Sequence, residues 1–220
     1  AISAAALTVL RAADARFGLG FDVEERSIGL AGLAAHGSTW PEGTTEAAKA
    51  ADGVILAPVD TYAYPPGQPN PSATMRKGFD LYANIRPARR RLPAGPGDKP
   101  IDLVIFRENT EGFYADRNMA VGNAEFRPTD DLTLSTRKIT RRACARIARA
   151  AFEEATRRRG HVTAVHKANV LKLGDGMFLE EIRKVAADYP AVTLDEVIVD
   201  AMAALLVRDP SRFDVVVTTN

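Results

Sequence analysis

Ile101-Asp-Leu-Val-Ile-Phe106, followed directly by Arg107-Glu-Asn-Thr-Glu-Gly-Phe-Tyr114, decides how this chain is read. The run from Ile101 to Phe106 has the apolar character of a buried strand, and a guanidinium and a phenol follow where that strand ends. Open α/β sheets bind ligands outside the carboxyl ends of their strands. The same layout recurs at His166-Lys167-Ala-Asn169 after Val162 to Val165, and at Asp200 after Leu194 to Val199. A cation, a base and a carboxylate are thus available for one small acid.

Working outward, the chain has 220 residues, 46% of them hydrophobic, which suffices for a real core in one large domain or two small ones. Its 29 Lys and Arg against 28 Asp and Glu leave a net charge of +1, so neither nucleic acid nor membrane is an expected partner and anion recognition has to be local. Cys144 is the only cysteine, which excludes an internal disulfide and a cysteine-rich metal site and makes a reducing compartment, the cytoplasm, the default. No run reaches bilayer length. A start without Met, in mid-helix, and an equally abrupt stop after Phe213 to Asn220 suggest a piece of a longer reading frame.

The expected elements are an opening helix to Phe17 closed by Gly18 and Gly20, a strand over Phe21 to Ile28, a turn at Pro41 to Thr44, a short helix capped by Thr45, and a buried strand Gly53 to Ala57. The proline-rich stretch from Tyr62 to Pro71 reads as an exposed loop, with a short helix from Ser72 and an extended stretch Leu81 to Pro87 after it. The polar segment around Arg89 to Pro100 marks a domain crossover. Beyond it come the strand at Ile101, alternation from Leu132 to Lys138, a helix from Thr140 to about Arg159, a strand at Val162, a helix through Phe178, a strand at Val192, a helix after Asp200 and a last strand from Phe213. The expected class is α/β with a mostly parallel sheet. The expected domains are residues 1–85 and 86–220.

Arg76, Arg86 and Arg107 each stand at the edge of an expected element and could grip a polycarboxylate, though each could equally sit in an ordinary surface ion pair. The runs Arg89 to Arg91 and Arg157 to Arg159 read as solvated surface. Lys167, beside an apolar strand, is a candidate proton acceptor or a plain exposed lysine. Tyr114 is a candidate proton donor or core filler, and Asp200 a helix cap or an oxygen ligand for Mg²⁺ or Mn²⁺. His36, His161 and His166 lack ligand spacing, and no glycine-rich phosphate loop, nucleophile elbow or RNA-binding aromatic motif occurs.

Four segments together, in this order and spacing, resemble the β-decarboxylating dehydrogenases of isocitrate, homoisocitrate, 3-isopropylmalate and tartrate or malate. They are Asp80-Leu-Tyr-Ala-Asn-Ile-Arg-Pro87, Val104 to Gly112, His166 to Lys172 with Asp175-Gly-Met-Phe178, and Val199-Asp-Ala-Met202 through Arg212 to Asn220. The resemblance implies a two-domain fold of that family, with residues 1–85 part of a first, cofactor-side domain and 86–220 a second domain, incomplete at its C-terminal end, that carries the dimer interface and the active-site residues. It also implies Arg76, Arg86 and Arg107 as the substrate-carboxylate clamp, Tyr114 and Lys167 as the acid/base pair, Asp200 as one metal ligand, and Asn169 as the residue reaching toward the nicotinamide of NAD or NADP. It implies a homodimer in which Lys167 and Asp200 act across the interface. The chain starts after the place of the family's Gly-Asp-Gly-Ile-Gly turn and stops before the Gly-Asp-x-x-x-Asp segment that carries its other metal carboxylates. Ahead of Arg76 the family contacts the group that distinguishes its substrates, and the polar Asn70 and Ser72 favour an acid of the isocitrate or homoisocitrate kind over an isopropyl group. The implied activity is metal-dependent oxidative decarboxylation of a 2-hydroxy-3-carboxy acid. A non-catalytic regulatory subunit that binds a polycarboxylate, and a generic anion-binding α/β domain, are the competing readings.

Overall fold

The computed structural model describes residues 2–92, 95, 98–114 and 124–220. The chain divides into two compact units, Ala1–Gly78 and Phe79–Asn220.

Among its described residues the first unit holds four α-helices, α1 (Ile2–Phe17), α2 (Gly29–His36), α3 (Thr44–Ala50) and α4 (Pro71–Gly78), a 3-10 turn at Thr61–Ala63, and no strand. The expected strands Phe21 to Ile28 and Gly53 to Ala57 are extended or irregular backbone instead. A strand exists only where a neighbour takes its N–H and C=O groups. None is paired here, and Val54, Ile55 and Leu56 stay exposed. Gly43, not Thr45, precedes α3, and the Thr45 hydroxyl accepts instead from Trp40 Nε1 at 2.9 Å. Buried Thr39 fixes the loop ahead of α4: its hydroxyl donates to the Pro69 carbonyl and its N–H to Gln68 Oε1 at 3.1 Å. Asn70 then caps α4, its Oδ1 accepting from Ala73 N at 3.2 Å.

The second unit is a five-stranded sheet in the order β1-β2-β7-β5-β6, from β1 (Ala83–Arg89), β2 (Asp102–Glu108), β5 (His161–His166), β6 (Thr193–Ile198) and β7 (Val215–Thr218). β1 runs antiparallel to β2 and the other pairs are parallel. A hairpin, β3 (Glu125–Thr129) and β4 (Leu132–Ser135), stands apart as a second sheet. Helices α5 (Arg141–Thr156) and α6 (Gly174–Ala186) bury Ile147, Ala148, Ala151, Phe152, Phe178 and Ile182 against Val104, Phe106, Val162, Ala164, Val215 and Val217. Those helix positions recur with helical period, and those strand positions alternate, so each element presents one apolar face to the other. The opposite sheet face, with Leu103, Val165 and Val216, meets Met202 of α7 (Val199–Arg208) and Phe213.

The run Arg157 to Arg159, expected to be solvated throughout, splits. Arg157 is exposed. Arg158 Nε donates to the buried Asp214 at 2.8 Å and its Nη2 to Asp102 Oδ1 at 2.6 Å, while the Arg159 N–H reaches the second Asp214 oxygen at 2.8 Å. These contacts tie the start of β2 and β7 to the end of α5. Arg89 does remain on the surface, 4.0 Å from Asp102.

Candidate active site

The parallel strands β2, β7 and β5 end side by side, and the register sets which residues share that edge. Asn84 pairs with Arg107, Arg107 with Thr218, and Thr218 with Val165. Paired residues point to the same sheet face, and so do residues two apart on a strand. Arg86, Asn84, Arg107 and Thr218 therefore stand on the face that α7 covers lower down, with Lys167 just beyond the end of β5.

The residues after Arg107 show why this segment turns as it does. Glu108, Asn109, Thr110 and Glu111 are all buried. Glu108 accepts from Thr110 N at 2.8 Å, Thr110 Oγ1 at 2.6 Å and Glu111 N at 2.8 Å, and Asn109 donates to the Leu81 carbonyl at 2.8 Å. Glu111 receives the N–H and hydroxyl of Thr140, whose hydroxyl in turn caps α5. The acidic residues of the motif are thus spent on the backbone and on the head of α5, and Arg107 is left as its outward charge. Arg107 Nη2 donates to Asn220 Oδ1, its guanidinium lies 5.8 Å from the Tyr114 ring centroid, and Asn220 Nδ2 donates to the Glu111 carbonyl at 2.7 Å. Tyr114 is 43% exposed, which removes the core-filler reading.

A second cluster forms on the ends of β5 and β6. Lys167 Nζ forms an ion pair with Asp200, the lysine side chain being about one-third exposed. Asp200 lies inside the first turn of α7, behind the N-cap Ile198, so the cap reading is corrected: its carboxylate goes to Lys167 and not to backbone amides. Asn169 is exposed in the turn that follows, where the Lys167 carbonyl accepts from Val170 N and Leu171 N. Arg86 Nε donates to Asn84 Oδ1 at 2.8 Å on the same strand. Arg107 with Tyr114, and Lys167 with Asp200, are brought together pairwise. The two pairs sit on strands separated by β7, roughly 10 Å apart at about 4.8 Å per strand. Ser72 and Arg76 belong to the first unit, one helical turn apart on α4 and hence on one face of it.

Among the described residues no group of three or more His, Cys, Asp or Glu side chains gathers as a metal site. Asp200 alone fits one ligand position of the six-to-eight-oxygen shell a hard cation takes, and the shell as a whole is not present in these residues. Asn220, Asn84, Arg137 and Asp175 were not singled out from sequence. Asn84 was readable, since it precedes Arg86 by two and must share its face. The others depend on partners far along the chain.

The isocitrate/isopropylmalate dehydrogenase family profile matches residues 1–220. The chain belongs to that family. It is 37% identical over 215 residues to a homoisocitrate dehydrogenase of Methanocaldococcus jannaschii, an alignment covering 91% of this chain and 59% of the relative. It is also 37% identical over 206 residues to a 3-isopropylmalate dehydrogenase of Saccharolobus solfataricus, covering 93% of this chain and 57% of that one. Among solved structures, an isocitrate dehydrogenase from Methylococcus capsulatus superposes with a TM-score of 0.76 at 37% identity, over 91% of this chain and 59% of that one. The chain thus spans under three-fifths of the length of these relatives, and its mixed α/β fold with a mostly parallel sheet is that of the isocitrate/isopropylmalate dehydrogenase family. Among the described residues no helix is long and apolar enough to cross a membrane.

Proposed function

We propose that the full protein oxidises and decarboxylates a 2-hydroxy acid bearing a 3-carboxylate. The observation that carries this is that Arg107, with Tyr114 after it, and Lys167, with Asp200, follow the carboxyl ends of parallel strands of one sheet, while Arg86 shares the face of Arg107 from mid-β1, in a chain of the isocitrate/isopropylmalate dehydrogenase family.

In this reading Arg86 and Arg107 hold substrate carboxylates through charge-assisted hydrogen bonds, with Asn84 and Asn220 fixing their guanidinium planes. Arg76, on α4 of the first unit, is the third arginine that the family resemblance assigns to the substrate carboxylates. Lys167, released from its ion pair with Asp200 as the neutral amine, accepts the proton of the C2 hydroxyl as the C2 hydride leaves. The bond from C3 to its carboxylate then breaks, releasing CO₂, and Tyr114 returns a proton to C3 of the enolate. Asp200 would supply one ligand to Mg²⁺ or Mn²⁺, whose chemistry there would be to polarise the C2 oxygen. Asn169 would contact NAD or NADP, which would supply the hydride acceptor.

Asn70 spends its side chain capping α4, so the polarity argument on substrate choice rests on Ser72 alone. Its hydroxyl, one turn before Arg76, suits the third carboxylate of an isocitrate or homoisocitrate-like acid better than an isopropyl group. The named relatives act on both kinds of acid at equal identity, so overall likeness does not choose between them.

A homodimer with shared active sites is part of the proposal. Beside Lys167, Val170, Leu171 and Leu173 are exposed, Leu173 at 89%, and Val207 on α7 at 85%. Apolar surface of this kind next to a charged pair suits burial against a second copy.

The deciding experiment is a spectrophotometric screen of the full-length protein for NADH or NADPH formation with isocitrate, homoisocitrate, 3-isopropylmalate, tartrate and malate, each with and without Mn²⁺. Turnover of none of them overturns the proposal. Lys167→Met should lower turnover by about 10²–10⁴-fold with acid binding retained. Mixing Lys167→Met with Tyr114→Phe subunits should restore activity if the site is shared, and an inactive mixture rules out sharing.

A further inference from the structure

Asp175 is buried in the first turn of α6 and has no part in the chemistry proposed above. One of its oxygens receives Arg137 Nη1 at 2.6 Å, and the other receives the backbone N–H of Lys167. Arg137 Nη2 donates to Thr219 Oγ1 at 2.8 Å, and its guanidinium carbon lies 5.9 Å from the centroid of the Phe113 ring, the neighbour of Tyr114. A single ion pair therefore touches the ends of β5 and β7, the segment after β2 and the head of α6. There is little slack around it, because a Cβ on Gly174 would stand 3.2 Å from Arg137 Nη1 and 3.3 Å from Ile139 Cγ1.

As a stability device such a pair is poor, since burying two charges costs about as much as their attraction returns. What it supplies is direction: two carboxylate lone pairs and two guanidinium donors fix four segments relative to one another. We infer that Arg137 and Asp175 are positioning residues that set the backbone from which Lys167 projects. The inference rests on the proposed role of Lys167. It places neither residue on the substrate, so their loss should act on kcat and not on KM. A displacement of about 1 Å in a reacting group can cost on the order of 10²-fold in rate.

The test measures, in the full-length protein, kcat, KM and hydrogen exchange at the Lys167 amide for Asp175→Ala and for the milder Arg137→Lys. Asp175→Ala should speed Lys167 exchange by about 10-fold or more, the loss of a hydrogen bond to a charged group. It should also lower kcat by roughly 10–100-fold with KM within about 3-fold of wild type. Arg137→Lys keeps a cation for Asp175 but loses the guanidinium fork that also spans to Thr219, and should fall between wild type and Asp175→Ala. If Asp175→Ala does not fold, Arg137→Lys decides: wild-type kcat together with wild-type Lys167 protection overturns the inference. So does a loss of kcat matched by faster exchange throughout the sheet, which is mere destabilisation. Should the wild-type protein turn over none of the acids, the functional proposal fails by itself. Exchange at Lys167 needs no turnover, and unchanged protection in both variants would then refute the positional role.

Discussion

Replacing Gly112 with alanine perturbs the candidate site at a point where the structure fixes both the strain and its destination. Gly112 sits at φ 72° between Glu111 and Phe113 and exchanges two backbone hydrogen bonds with Lys138, at 2.8 and 2.9 Å. A Cβ there would stand 2.0 Å from the Asn220 carbonyl oxygen and 2.8 Å from its carbon. Carbon and oxygen settle no closer than about 3.3 Å, so something has to move by roughly 1 Å. Lys138 holds Gly112 from one side, so the shift falls on Asn220, which receives Arg107 and donates to Glu111. The left-handed conformation costs an alanine about 1–2 kcal/mol. Each Asn220 hydrogen bond lost adds about 1 kcal/mol, for a total destabilisation of about 2–4 kcal/mol. Gly160→Ala is the control: φ is 74°, but the nearest atom to a new Cβ is the Ala191 oxygen at 3.5 Å, so it should show the conformational cost alone, about 1–2 kcal/mol. Urea unfolding of both variants gives the comparison, and the KM of the turned-over acid should rise only in Gly112→Ala. Equal stabilities for the two variants, with equal KM, would refute the reasoning.

Asp214→Ala leaves the inward-reaching Arg158 without its buried partner and should cost about 3–5 kcal/mol by urea denaturation, a loss under about 1 kcal/mol contradicting the network described. Burial pushes the Cys144 thiol up to about 12, so iodoacetamide at pH 8 should leave it untouched in the native protein and modify it in urea; native labelling at the rate of a free thiol would contradict its burial. The hydrogen bond from Arg158 holds the Asp102 carboxyl below its usual range. A pKa lowered on folding gives stability that is complete above the ordinary carboxylate range and is lost as pH falls through the folded value, so Asp102→Asn should flatten the acid limb of stability against pH, and an unchanged limb counts against the pair.

The second unit was legible because its elements carry their own signals. Val162 to Val165 has the run of a strand buried on both faces, and Ala143, Ile147, Ala151 and Ala155 repeat at helical spacing from a Thr140 cap. The first unit misled because Phe21 to Ile28 and Gly53 to Ala57 have strand character without a paired neighbour, and pairing is a non-local property. Helix α2 escaped notice because Gly29 and Gly32 look like breakers. Gly32 is in fact required, since a Cβ there would meet the Ser27 carbonyl oxygen at 2.8 Å. At the candidate site, Arg107 and Tyr114 could be read as neighbours across one short turn. The bond from Arg107 to Asn220, and that from Arg137 to Asp175, join residues with no periodic relation in the chain, and only folding reveals them. Asn70 shows the opposite error: an Asn just ahead of a short helix is a cap by elementary chemistry, and that role takes precedence over any toward a ligand.

Glu108 turns onto its own backbone and Glu111 onto the head of α5, while Arg107 and Arg86 stand on one face of the sheet, so a molecule of net charge +1 presents two guanidinium groups locally. Their reach is the Debye length, about 10 Å at 0.1 M salt. Small anions approaching from bulk solution feel that charge over the last few water layers, and an electrostatic contribution to their association weakens as ionic strength rises.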